Sequence, residues 1–149
     1  GTGGTGGTGS LTTQLVLAPR KGDIDRGPTF SLALDHGAAS AAGAPQSLAS
    51  GSNWGMVHLW DLRAGQSTAT LENACPGGIR SLQLCGHLLV AGREPGPLIN
   101  VWDLRTRRIV QRLRGHANNE VLELQVIGTR GRLACGGRMN ELRVWDLFG

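Results

Sequence analysis

The sequence predicts an all-β fold built from three consecutive copies of one small four-strand unit. Three observations carry this expectation. A segment ending in Trp-Asp-Leu occurs three times at nearly constant spacing, short runs of alternating apolar and polar residues precede each copy, and 24 glycines against six prolines punctuate the chain. Glycines between short apolar runs mark tight turns joining strands. The long Ala-, Glu-, Lys- and Leu-rich stretches expected of helices are missing. With 149 residues the chain is long enough to bury a real core.

The elements follow in order. Residues 1–10 contain only Gly, Thr and Ser and are expected to be a flexible low-complexity segment. The repeats are expected over 11–149, at about 11–62, 63–104 and 105–149. In the first, an alternating run from Phe30 to Leu34 leads into an Ala-, Gly- and Ser-dominated stretch from Asp35 to Gln46, read as a surface loop. A small-residue strand from Leu48 to Ser52 comes next, then Val57-His58-Leu59-Trp60-Asp61-Leu62. The second repeat has Leu82-Gln83-Leu84, Val90-Ala91-Gly92 and Ile99-Asn100-Val101-Trp102-Asp103-Leu104. The third has Leu122 to Val126, Leu133 to Gly137 and Leu142-Arg143-Val144-Trp145-Asp146-Leu147. The three tryptophans are 42 and 43 residues apart, and each Trp-Asp segment has the period-two alternation of a strand. Leu71 and Leu113, each ten residues past the preceding Asp, mark a further strand.

This pattern resembles the WD40-repeat family, in which four-stranded antiparallel blades stand radially around a channel. The resemblance covers residues 11–149 and implies a partial propeller of three blades with four antiparallel strands each. In that family the Trp-Asp pair ends the third strand and a Gly-His pair precedes the first, as Gly115-His116 precedes Trp145 here. It assigns structural roles to Trp60, Asp61, Trp102, Asp103, His116, Trp145 and Asp146. The family's buried network joins a His, a Ser or Thr, an Asp in the turn before the third strand, and the Trp indole, whose unpaired N–H would be costly. The chain departs from that network in each repeat. Cys135 and Met139 hold the Ser and Asp places in the third. Ser50 fits in the first, but Trp54 stands where the Asp is expected. Cys75-Pro76-Gly77-Gly78 replaces Gly-His in the second, the Glu94–Leu98 turn has an extra residue, and His87 follows the first strand rather than preceding it.

Three blades cannot close a ring. The chain is therefore expected to be part of a longer propeller or a short isoform, a reading that Gly1 in place of Met also favours, or to complete itself by self-association or with a second WD protein.

Charge and composition narrow the function classes. The net charge of +4, from fourteen Arg and one Lys, suits acidic protein segments better than nucleic acid. Three cysteines, Cys75, Cys85 and Cys135, form no framework and no metal-ligand pair, so neither metal nor cofactor is expected and an intracellular, cytoplasmic or nuclear setting is. No membrane span or signal peptide is predicted. No Gly-x-Ser-x-Gly elbow or phosphate-cradling loop before a helix occurs, so enzyme activity is not expected.

Binding to other proteins remains. Candidate contact residues are Trp54, at a turn and of a type enriched in binding hot spots, and Arg63, Arg105, Arg107, Arg108 and Met139. Trp60-Asp61-Leu62-Arg63 and Trp102-Asp103-Leu104-Arg105 are similar to the Trp-Asp-x-Arg box of substrate receptors that dock on cullin-4 ubiquitin ligases; Phe148 replaces the Arg in the third copy. The expected function is a protein-interaction scaffold in substrate recognition for a ubiquitin ligase, of that kind or of the F-box/WD-repeat kind. A nucleic-acid-associated assembly factor using the Arg-rich strand that also holds Arg112 and Arg114, or a truncated isoform without independent function, are the alternatives.

Overall fold

A computed structural model describes residues 15–18, 28–34, 47–72, 74–115, 121–127, 131–137 and 141–148. The expectations for 1–10, for 35–46, for His116 and for Met139 lie outside these residues.

The described chain holds β1 (Thr29–Leu34), β2 (Ser47–Ser52), β3 (Val57–Asp61), β4 (Gln66–Leu71), β5 (Gly78–Cys85), β6 (Leu88–Glu94), β7 (Leu98–Asp103), β8 (Arg108–Arg114), β9 (Val121–Ile127), β10 (Arg132–Gly137) and β11 (Leu142–Asp146). Consecutive strands pair antiparallel in three meanders, β1-β2-β3-β4, β5-β6-β7-β8 and β9-β10-β11. The all-β partial propeller is as the repeats predict, except that the described residues give four, four and three strands where four in each were expected. The outer strands β4 and β8 start at Gln66 and Arg108, five residues past Asp61 and Asp103.

Alternation along each strand feeds two cores. In β6, Leu89 and Ala91 face the first sheet, while Leu88 and Val90 face the third. The first core joins Ala33, Ala49, Val57 and Leu71 to Ile79, Leu82 and Leu84. The second joins Ile99 and Val101 to Val121, Leu124 and Leu133. A middle sheet buried on both sides explains why β6 and β7 read as nearly continuous apolar runs.

The innermost strands β1, β5 and β9 lie side by side, and hydroxyl groups stitch them. Ser31 Oγ donates to the Ile79 carbonyl at 3.2 Å, and Ser81 Oγ accepts the Leu124 N–H at 3.0 Å. The repeat reaches down to its irregularities. A β-bulge interrupts the pairing just before Ser31 and again just before Ser81, and each serine then pairs with a glycine, Gly51 or Gly92. A similar shift on the third sheet leaves Glu123 paired with Gly136. Gly51 and Gly92 each lie where the next sheet packs tightly against their own. A Cβ on Gly51 would lie 2.8 Å from Ile79 Cγ2, and one on Gly92 would lie 2.7 Å from Val121 Cγ1.

Candidate functional site

The first two Trp-Asp pairs each do two local jobs. The first concerns the indole. Trp60 Nε1 donates to Ser50 Oγ at 2.8 Å inside the protein, and its ring lies 5.8 Å from that of His58, whose Nδ1 shares a 3.1 Å hydrogen bond with Thr70 Oγ1. In the second sheet Ala91 stands at the register position of Ser50, and Asn100 at that of His58. No hydroxyl is available there. Instead the Ala74 carbonyl accepts from both Trp102 Nε1 and Asn100 Nδ2, each at 3.1 Å. The Ala74-Cys75 segment thus does what a side chain does in the first sheet, because a buried indole N–H must find some acceptor.

The second job belongs to the carboxylate. Asp61 Oδ1 accepts the N–H groups of Arg63 and Ala64 at 2.8 and 3.1 Å, and Asp103 Oδ1 accepts that of Arg105 at 2.8 Å. An Asp that ends a strand and bonds backbone two residues on shapes a tight turn. Both turns then need a left-handed residue. Gly65 supplies it in the first (φ 65°) and Arg107 in the second (φ 55°), where a side chain makes that conformation costly.

These turns project the candidate arginines from one end of the arc. Arg63 leaves the β3–β4 turn, Arg105 and Arg107 leave the β7–β8 turn, and Arg108 opens β8; all four are exposed. Arg105 is braced by a two-pronged ion pair, Nε to Asp103 Oδ1 at 3.1 Å and a terminal nitrogen to Oδ2 at 2.7 Å. The guanidinium holds the Asp103 carboxyl well below the usual carboxylate range, chiefly by that hydrogen bond. Asp103 in turn fixes the direction in which Arg105 points. At the same end, a cleft of about 220 Å³ opens between the first two sheets, lined by Leu59, Trp60, Asp61, Leu84 and Leu104 among others. The rings of His87 and Phe148 lie 6.4 Å apart.

Trp54 lies at the opposite end, in the β2–β3 turn, 62% exposed. Its backbone N–H donates to Ser52 Oγ at 3.3 Å, and the Gly55 carbonyl of the same turn accepts the Cys75 N–H at 3.4 Å. The indole is therefore displayed on a turn tied to the next sheet. The candidate residues thus form two surfaces and not one: Arg63, Arg105, Arg107 and Arg108 at the Trp-Asp end, Trp54 at the other. Asp61 and Asp103 belong to the first surface as turn-formers, while Trp145 packs against the second core and Asp146 is exposed.

None of the cysteines is in a disulfide. Burial pushes the Cys75 thiol up to about 11, against the opposing pull of Arg93, and also raises that of Cys135. Among the described residues no group of three or more His, Cys, Asp or Glu could hold a metal ion, and no helix is long and apolar enough to cross a membrane.

Sequence reasoning missed Asn100 and the Ala74 carbonyl as the substitute for the serine. Pairing register would have flagged Asn100, which occupies the His58 position of the second Trp-Asp segment. Nothing in the sequence marks a backbone carbonyl as an indole acceptor. The His87 and Phe148 pair was equally hidden, since the two residues come from different sheets.

No family model matches the chain. By sequence it is similar to an Arabidopsis thaliana protein described as cell division cycle 20.1, cofactor of APC complex, with 34% identity over 140 residues, 93% of this chain and 28% of the relative. A second Arabidopsis thaliana protein, cell division cycle 20.4, cofactor of APC complex, is 30% identical over 136 residues, 91% of this chain and 28% of that one. Guanine nucleotide-binding protein subunit beta-like protein 1 of Mus musculus is 37% identical over 87 residues, 58% of this chain and 25% of that one. The chain spans about a quarter of the length of the curated relatives it matches. With Trp-Asp strand ends repeated at 42 and 43 residues on stacked antiparallel sheets, and with these relatives, the chain belongs to the WD40-repeat family of β-propeller proteins.

Proposed function

We propose that this chain is a protein-interaction scaffold that contributes to substrate recognition by a ubiquitin ligase. The observation that carries the reading is the display of contact residues on turns braced by the sheets. Arg105 is locked by Asp103 at one end, and Trp54 stands exposed on a tied turn at the other. Rigid, exposed Trp and Arg side chains lose little entropy on binding, which is why they dominate protein interfaces. Two relatives described as cofactors of the APC complex support the link to a ligase, and the two Trp-Asp-Leu-Arg segments support docking on a ligase of the cullin-4 kind. In this division of labour the Trp-Asp end, with its arginines and cleft, meets an acidic ligase component, and the Trp54 end meets the substrate. Such a role needs no catalytic group, metal or cofactor.

The test is direct binding of the purified chain to purified APC complex and, separately, to cullin-4 ligase adaptor, read by biolayer interferometry. Binding to either, weakened about tenfold or more by the Arg63→Ala, Arg105→Ala pair, supports the reading. Absence of binding to both refutes the ligase link.

A second reading rests on the exposed arginines of β8, Arg108, Arg112 and Arg114. It predicts oligonucleotide binding that falls steeply with salt. Salt-insensitive or absent oligonucleotide binding removes it, and a chain that unfolds without cooperativity favours the truncated-isoform alternative.

A further inference from the structure

The cleft between the first two sheets is a gap that the next seam fills from within. Ser47 pairs with Asp61 in the first sheet, and Leu88 pairs with Asp103 at the same register position in the second. Leu88 is 5% exposed and joins the core cluster that holds Val101, Val126 and Leu147. Those three residues correspond to Leu59, Leu84 and Leu104, the first two by strand register and the last by its turn hydrogen bond. Around Ser47, however, Leu59, Leu84 and Leu104 line an open cleft of about 220 Å³, and Ser47 itself is exposed. A hydroxymethyl group stands where the second seam has an isobutyl group. Gly86, also in the lining, adds to the room, since a Cβ there would meet no atom within 4 Å.

Size, lining and rim select an occupant. Sites for whole small molecules run to about 300–1,000 Å³, and this cleft is on the scale of one side chain. Its apolar walls suit an aliphatic group. The two turn hydrogen bonds that Asp61 accepts fall on Oδ1, which leaves Oδ2 for the backbone N–H of an incoming segment. The flanks are positive. Arg63 lies two residues past Asp61 and Arg105 directly follows Leu104; both are exposed, and Asp103 fixes the direction of Arg105.

We propose that this cleft takes a leucine side chain from an acidic, extended segment of a partner protein. The leucine fills the place that Leu88 fills in the next seam, and carboxylates on either side of it meet Arg63 and Arg105. Apolar surface removed from water supplies the affinity, while the arginines supply encounter rate and orientation. The partner's acidity rests on the reading above of the Trp-Asp end; the leucine anchor stands on the comparison of the two seams.

The test is an NMR titration of the purified chain, its leucine methyls labelled, with a capped peptide that carries one leucine between pairs of glutamates. Saturable shifts centred on Leu59, Leu84 and Leu104 are expected. Replacing the peptide's leucine by alanine should weaken binding about tenfold or more. Ser47→Leu, which fills the cleft from within, should weaken it as much while leaving Tm unchanged or higher. The Arg63→Ala, Arg105→Ala pair should weaken it too and reduce its salt dependence. Equal binding of the leucine and alanine peptides, or binding untouched by Ser47→Leu, overturns the proposal. A Tm lowered by Ser47→Leu overturns it as well, because the space would then not accept a leucine, and so does an absence of shifts at millimolar peptide. Binding that needs the arginine pair but not the leucine would overturn the anchor and leave the acidic partner standing. The ligase link is decided separately, by the binding experiment with APC complex and cullin-4 ligase adaptor.

Discussion

At Gly92 the third sheet packs directly against the second, which makes Gly92→Ala the most informative single perturbation of the fold. The added methyl would sit 2.7 Å from Cγ1 of Val121 and 3.1 Å from Cδ1 of Leu124. Both neighbours are fully buried, and a β-branched valine has few rotamers into which it can retreat. Overpacking of this kind costs about 1–3 kcal/mol. Replacing Gly by Ala in ordinary extended backbone returns about 0.4–1 kcal/mol by narrowing the unfolded ensemble. The net expectation is a loss of about 1–2 kcal/mol, or about 2–8 °C in Tm for a chain of this size. Val121→Ala alone should cost about 2 kcal/mol through the void it leaves. Combined, the new methyl at 92 occupies the space vacated at 121, so the double variant should be more stable than the sum of the singles implies by at least about 1 kcal/mol. Urea unfolding followed by tryptophan fluorescence measures all four corners of the cycle, with a constant m value required for the comparison. Additivity within about 0.5 kcal/mol would show that the two groups do not meet, and the account of the sheet-to-sheet contact would fall.

Other consequences can be checked the same way. Ser50→Ala strands the buried Trp60 N–H and should lower stability by about 1–3 kcal/mol; a change under a few tenths of a kcal/mol would mean that the indole finds another acceptor. Arg107→Gly relieves a left-handed side chain and should raise stability by about 0.5–1 kcal/mol, so a loss of stability would contradict the strain argument. Arg105 holds the folded-state pKa of Asp103 below its unfolded value. The contribution of the pair is therefore complete above about pH 5 and is lost as pH falls. Asp103→Asn should flatten the acid side of a stability profile, and an unchanged profile would refute the assignment. For Cys75, whose folded pKa is raised by burial, the sign is opposite: its contribution is complete below the unfolded thiol pKa and fades as pH rises towards about 11. At mildly alkaline pH, Cys85, the half-buried thiol, should react first with a disulfide reagent, and rapid modification of Cys75 or Cys135 would contradict their burial.

Much of this architecture was legible because its signals are local. Strand positions follow from two-residue alternation, and turns from Asp and Gly at strand ends. The recurrence of Trp60, Trp102 and Trp145 reports a repeated environment for the indole. The sites were only half legible. Trp54 and the arginines could be recognised by type and by their place in turns, yet the sequence could not say that they divide between two ends of the arc. That division depends on which way each strand runs once paired. Nor could it foresee that Asp103 grips Arg105 with both carboxylate oxygens, a matter of side-chain geometry at a turn containing a left-handed Arg107.

By itself, then, the sequence determined an all-β chain of repeated Trp-Asp strands, because alternation, turn chemistry and period act over a few residues at a time. Tertiary structure alone decided which of three register-equivalent glycines are filled. Gly51 and Gly92 are pressed by the next sheet while Gly136 faces open space, although all three sit in small-residue strands of similar composition. It also decided that a carbonyl at Ala74 would serve Trp102 as Ser50 serves Trp60. Both outcomes turn on distances between segments far apart in the chain, and those distances exist only once the sheets have stacked.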